Sequence, residues 1–95
     1  MDKFISSINT VFQTDGRVTA AWLFGSYARG EENIDSDVDI MIEFSNSKKY
    51  SMFDLMDLAF ILEKKINKKV DLVEKGCVKN FAVQFVNHDL IKIYG

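Results

Sequence analysis

Residues 18–44 read VTAAWLFGSYARGEENIDSDVDIMIEF, and this stretch decides the fold. Its opening run, Val18 to Phe24, is apolar and rich in strand-forming residues before Gly25-Ser26 interrupts it. Such a run predicts a buried strand that ends in a turn. Its closing run, Asp37 to Phe44, alternates, with Val38, Ile40, Ile42 and Phe44 on one face and Asp37, Asp39, Met41 and Glu43 on the other. That pattern predicts a strand with one face on a core and the other in water.

Outward from this stretch the periodicity changes several times. Phe4, Ile5, Ile8, Val11 and Phe12 recur at helical spacing within residues 2 to 13, and Thr14-Asp15-Gly16 breaks the pattern. Ser51 followed by Asp54 resembles a capping box that opens a helix, with Met52, Leu55, Met56, Ala59, Leu62 and Ile66 as its expected buried stripe. Residues 70–74, VDLVE, alternate so that Val70 and Leu72 face a core and Asp71 faces away. Val78, Phe81, Ala82 and Phe85 predict a last helix, and residues 90–94, LIKIY, a closing strand. The expected fold is α/β (α+β), a small mixed sheet with helices on one face.

At 95 residues the chain is expected to form a single domain spanning residues 1–95. Hydrophobic residues make up 47% of it, eight Phe, three Tyr and one Trp among them, which suffices for one compact core and argues against disorder. Twelve basic residues stand against fourteen acidic, a formal net charge of −2. No overall positive field draws in nucleic acid, so direct nucleic acid binding is not expected. A single cysteine, Cys77, leaves no intramolecular disulfide, and polar breaks in MDKFISSINT do not suit a signal peptide. Asp54, Asp57 and Glu63 interrupt the longest apolar-rich stretch. A cytoplasmic protein with no membrane association is expected.

The chemistry rests on three acids and a turn. Asp37 and Asp39 lie two apart on a strand, so their side chains leave the same face with Cα atoms roughly 6.6 Å apart. An Asp-x-Asp pair alone more often marks a solvated edge than a site. Asp71 changes the balance, because it too lies opposite the apolar residues of its strand. Carboxylates about 5 Å apart at an effective dielectric of about 20 repel by roughly 3 kcal/mol per pair. Gathering them calls for a cation, and an all-oxygen donor set suits Mg²⁺, which keeps waters and completes its shell with phosphates. Zn²⁺ is disfavoured, since Cys77 and His88 are isolated.

The turn Gly25-Ser26-Tyr27-Ala28-Arg29-Gly30 follows the first strand. Glycine lets a phosphate approach the backbone, and Ser26 offers a hydroxyl and amides in a turn where a helix could start. Arg29 adds a permanent charge able to pair with phosphate, although an exposed surface arginine is as common an outcome. His88 reads as a capping or surface group, Cys77 as a small packing residue. Lys64, Lys65, Lys68 and Lys69 lie near a helix C-terminus, where cations complement the dipole.

Gly25-Ser26, ten residues, Asp37-Val38-Asp39 and a later Val70-Asp71-Leu72-Val73 together resemble the minimal nucleotidyltransferase (MNT) domain of the DNA polymerase β-like superfamily. The string GSYARGEENIDSDVDI carries the resemblance, which spans nearly the whole chain. It implies that Gly25 and Ser26, with Arg29 beside them, hold the triphosphate. It also implies that Asp37 and Asp39 bind Mg²⁺, two ions in all with Mn²⁺ as a substitute, and that Asp71 shares in metal binding and helps activate the acceptor hydroxyl.

The resemblance further implies transfer of a nucleoside monophosphate, AMP from ATP, with release of pyrophosphate. Small members of this kind are paired with a helical HEPN-domain protein, and some act as antitoxin by adding AMP to one of its tyrosines. Two rivals remain: an antitoxin that binds metal and nucleotide yet acts by contact alone, and a subunit of an aminoglycoside-type nucleotidyltransferase.

Overall fold

A computed structural model describes residues 2–33, 35–75 and 90–95. Helix α1 (Asp2–Asp15), strand β1 (Val18–Phe24), the short helix α2 (Gly25–Arg29), strand β2 (Val38–Phe44), helix α3 (Met52–Ile66), strand β3 (Val70–Glu74) and strand β4 (Ile91–Tyr94) follow in chain order. The helix expected over residues 78–85, with Cys77 and His88, lies outside the described residues. Among those described, no helix is long and apolar enough to cross a membrane.

The strands form one mixed sheet in the order β3-β2-β1-β4. β1 pairs antiparallel with β2 and β4, whereas β2 and β3 run parallel, joined by α3. One face of the sheet carries Ala21, Leu23, Val38, Ile40, Ile42 and Leu72, and these pack with Ile8, Val11 and Phe12 of α1 and with Leu58 and Leu62 of α3. Leu23, Ile40, Ile42, Leu58 and Leu62 are wholly buried, each contributing about 1.5–3 kcal/mol by leaving water. Ala20 and Met41 are also buried but belong to no part of this core. They lie on the second face, in register rows with Glu43 and Trp22 respectively.

The capping box at α3 is present as expected. Ser51 Oγ accepts from the Phe53 amide at 3.2 Å, and the Ser51 amide donates to Asp54 Oδ2 at 2.8 Å. Of the expected stripe of α3, Leu62 is buried and Leu55, Ala59 and Ile66 pack against the core, but Met52 and Met56 are exposed, and Leu58, outside the stripe, fills the core instead. Apolar residues surround this helix, so their spacing does not fix its rotation. On the flank of the helix that faces the start of β1, Arg17 bonds Asp54 at 3.2 Å and Asp57 at 3.0 Å.

Candidate functional site

The acids meet where β1, β2 and β3 share one end. Asp39 of β2 is the register partner of Phe24 on one side and of Asp71 on the other. Neighbouring strands are about 4.8 Å apart, so this register holds the two carboxylates side by side. Asp37 lies one residue before β2 rather than within it, and it is exposed. Its approach is held by Asn33, whose Oδ1 accepts from the Asp35 amide at 2.8 Å and whose amide donates to Ser36 Oγ at 3.0 Å. These turn contacts were legible only as a polar loop.

Electrostatics shows that the acids sense each other. Asp39 is half-buried, and its carboxyl is pushed up to about 6, first by burial, then by the charges of Asp71 and Asp37. Arg29 opposes the shift by its positive charge, and a hydrogen bond with Asp71 favours the protonated form further. Arg29 itself is exposed and lies 3.5 Å from Glu31 through Nε.

Gly25 explains how Asp39 fits. Its φ is +72°, a left-handed conformation, and a Cβ there would stand 2.9 Å from Asp39 Cγ and overlap Oδ2 outright. The turn expected after β1 is thus the five-residue helix α2, which closes on Gly30 at φ 71°. Phe24 precedes it and offers no side-chain cap. Tyr27 anchors α2 by stacking on Phe4 of α1 with ring centroids 5.4 Å apart.

Among the described residues, no three His, Cys, Asp or Glu side chains already stand within common reach of one ion. The donor set nevertheless suits a hard cation. It is all carboxylate, and the Asp39 carboxyl is raised first by burial and then by the charges of Asp71 and Asp37, a repulsion that a cation would relieve. Asp37 and Asp71 are exposed, so their side chains are free of the packing that fixes a rotamer.

A family model for polymerase β nucleotidyltransferases matches residues 6–92. The chain belongs to this family. A Methanocaldococcus jannaschii protein named as a candidate protein adenylyltransferase is 40% identical over 78 residues, 81% of this chain and 78% of the relative. Protein adenylyltransferase MntA of Thermococcus cleftensis is 35% identical over 71 residues, 75% of this chain and 70% of the relative.

Two solved complexes share the nucleotidyltransferase fold. A toxin-antitoxin crystal structure with AMP-PNP superposes with a TM-score of 0.81 at 23% identity, covering 96% of this chain and 73% of that one. The MNT antitoxin complex with a tri-AMPylated HEPN toxin of Shewanella oneidensis does so with a TM-score of 0.76 at 20% identity, covering 99% of this chain and 71% of that one.

Proposed function

We propose that this nucleotidyltransferase moves AMP from ATP to a tyrosine hydroxyl of a helical HEPN-type partner, and so serves as the antitoxin of a pair. The observation that carries the reading is the row Asp39–Asp71, with Asp37 beside it and Gly25 against it, at the end of a nucleotidyltransferase sheet. The relatives named as adenylyltransferases and the complex holding a tri-AMPylated HEPN toxin support AMP and such a partner.

Asp37, Asp39 and Asp71 would hold Mg²⁺. When bound, the ion neutralises charge that develops on the attacking and leaving oxygens. The chain's own residues do the rest. Ser26 Oγ and the amides that open α2 are donors for the β and γ phosphates, while Arg29 adds positive charge beside Asp39. Gly25 leaves room for the Asp39 carboxylate to stay in register with Asp71. Asp71, at the exposed edge of the row, accepts the proton of the incoming hydroxyl. The hydroxyl oxygen bonds to the α-phosphorus, and pyrophosphate departs.

Incubation of the chain with its partner, labelled ATP and Mg²⁺ tests the reading. Label on the partner is expected. Inhibition of the partner without label would instead favour an antitoxin that acts by contact, and label on a small aminoglycoside-like alcohol would favour the antibiotic-modifying class.

A further inference from the structure

Large apolar side chains left in water gather on one helix. Met52, Phe53, Met56 and Phe60 of α3 are 66%, 81%, 61% and 55% exposed, and among the described residues only Ile91 joins them as a large exposed hydrophobic. Single exposed apolar residues are ordinary on a protein surface, whereas a contiguous row marks a contact. Met52, Met56, Phe60 and Lys64 follow one another at intervals of four, so they form one ridge along the helix with Phe53 beside it. The ridge points away from the sheet, because Leu58 and Leu62 on the opposite side of α3 fill the core. Lys64 lies along it, with Nζ 4.9 Å from the Phe60 ring centroid.

The charges beside this ridge complement themselves. Asp57 and Lys64 are about two helical turns apart and therefore lie on the same flank. Asp57 bonds Arg17 at 3.0 Å yet keeps 60% of its side chain exposed, so its carboxylate has room for a second cation. A two-fold axis across the helix near Met56 and Phe60 turns a second copy antiparallel and sets like flanks against each other. Met56 then meets Phe60 of the second copy, and Asp57 comes within about one turn, a lysine's reach, of that copy's Lys64. Parallel pairing sets opposite flanks together and leaves both charges without this partner. Antiparallel pairing also opposes the two helix dipoles. Four such side chains from each copy remove on the order of 1,000 Å² from water, which reaches the lower bound for a specific interface.

We propose that the outer face of α3 is a self-association surface, on which a second copy of this chain docks antiparallel through Met52, Phe53, Met56 and Phe60, with Asp57 and Lys64 as reciprocal ion pairs. The apolar row supplies the attraction, and the charged flank sets the direction. Asp39 and Asp71 belong to the face of the sheet that α3 does not cover. A dimer built through α3 therefore leaves both acid rows open, and each copy keeps its own acceptor side. The pairing does not depend on AMP transfer and stands or falls apart from that reading.

Sedimentation velocity of the whole chain from about 1 to 100 μM reads the association directly. Wild type is expected to pass from monomer to dimer across that range. Met56→Glu sets a charge at the centre of the ridge on a side chain already in water, so the fold is kept while dimerisation weakens at least about tenfold. Lys64→Glu should weaken it about fivefold at low salt and less at high salt. Circular dichroism checks that each variant is folded. Orientation is read by cysteine cross-linking in a Cys77→Ser background. Chains carrying Met56→Cys should link to chains carrying Phe60→Cys more readily than either links to its own kind. A wild type that stays monomeric throughout would overturn the proposal. So would a dimer that Met56→Glu and Lys64→Glu leave intact, or cross-links that form best between like positions. A monomer that binds a HEPN-type partner and loses it in Met56→Glu would overturn it as well, and would assign the ridge to that partner.

Discussion

The two ends of β1 each gather three aspartates, and the molecule treats them in opposite ways. At the start of the strand, Arg17 bonds Asp15, Asp54 and Asp57. The hydrogen bond from Arg17 holds the Asp15 carboxyl below its ordinary range; for Asp54 the Ser51 amide does so first, with Arg17 in support. At the far end Asp37, Asp39 and Asp71 gather with Arg29 opposing only part of their repulsion, and the Asp39 carboxyl rises. One cluster carries its countercharge as a side chain and joins α1, β1 and α3. Among the described residues the other is offset only in part, by Arg29, which is the state expected of a site whose cation arrives with a ligand.

The largest expected effect is at the second cluster. Asp37→Asn with Asp39→Asn should lower AMP transfer by at least about 10³, read as label on the partner, and abolish the thermal shift given by Mg²⁺ with a non-hydrolysable ATP analogue. In wild type that shift should correspond to about 2.7 kcal/mol at a hundred times the dissociation constant. An equal shift in the double variant would place the cation elsewhere. Gly25→Ala comes next. It presses a methyl group onto Asp39 in a left-handed conformation, so transfer should fall about 10²-fold even where the protein still folds, as displacement of a reacting group does.

The first cluster should respond in stability and not in chemistry. Arg17→Met leaves three acids facing one another and should cost about 1–2 kcal/mol in denaturant unfolding, while transfer measured well below the melting temperature stays near wild type. A loss of transfer without loss of stability would show that the two ends are coupled.

The smallest effect is a pH signature. Asp39 is raised from an unfolded value of 3.8 to about 6, so the folded metal-free protein binds more protons than the unfolded chain between those values. The stabilisation is fully present below about 4 and is lost as pH rises through about 6. Asp39→Asn should flatten that part of the stability profile in chelator. The lowered Asp15 and Asp54 act in the opposite sense, and stability falls as pH drops through their folded values, below 3.8. The two clusters thus titrate in separate windows.

Much of this was legible in the sequence, because it follows from strand alternation. Val38, Ile40, Val70 and Leu72 are buried as their phase demands, and Asp71 faces away from them. What failed to show was whatever depended on distant contacts. The rotation of α3 was hidden because apolar residues line it on every side, and Phe53, 81% exposed, illustrates how little its hydrophobicity alone determines. Helix α2 was read as a turn, since five residues carry too few apolar positions to show a period. Trp22 vanished into the uniformly apolar VTAAWLF, and only the sheet register reveals that it shares a face with Asp39.

The central claim is that the acid row performs transfer and does not merely bind nucleotide, and Asp71 tests it most directly. Asp71→Asn keeps the size of the side chain while removing its negative charge and its capacity to take up the proton. Labelled AMP incorporation into the partner and calorimetric titration with a non-hydrolysable ATP analogue are measured on the same preparations. Transfer should fall by at least about 10², while affinity for the analogue changes far less, since on the proposed reading Ser26, the α2 amides and a cation on Asp37 and Asp39 would still hold the phosphates. Near wild-type labelling by Asp71→Asn would contradict the account and leave Asp71 a surface acid.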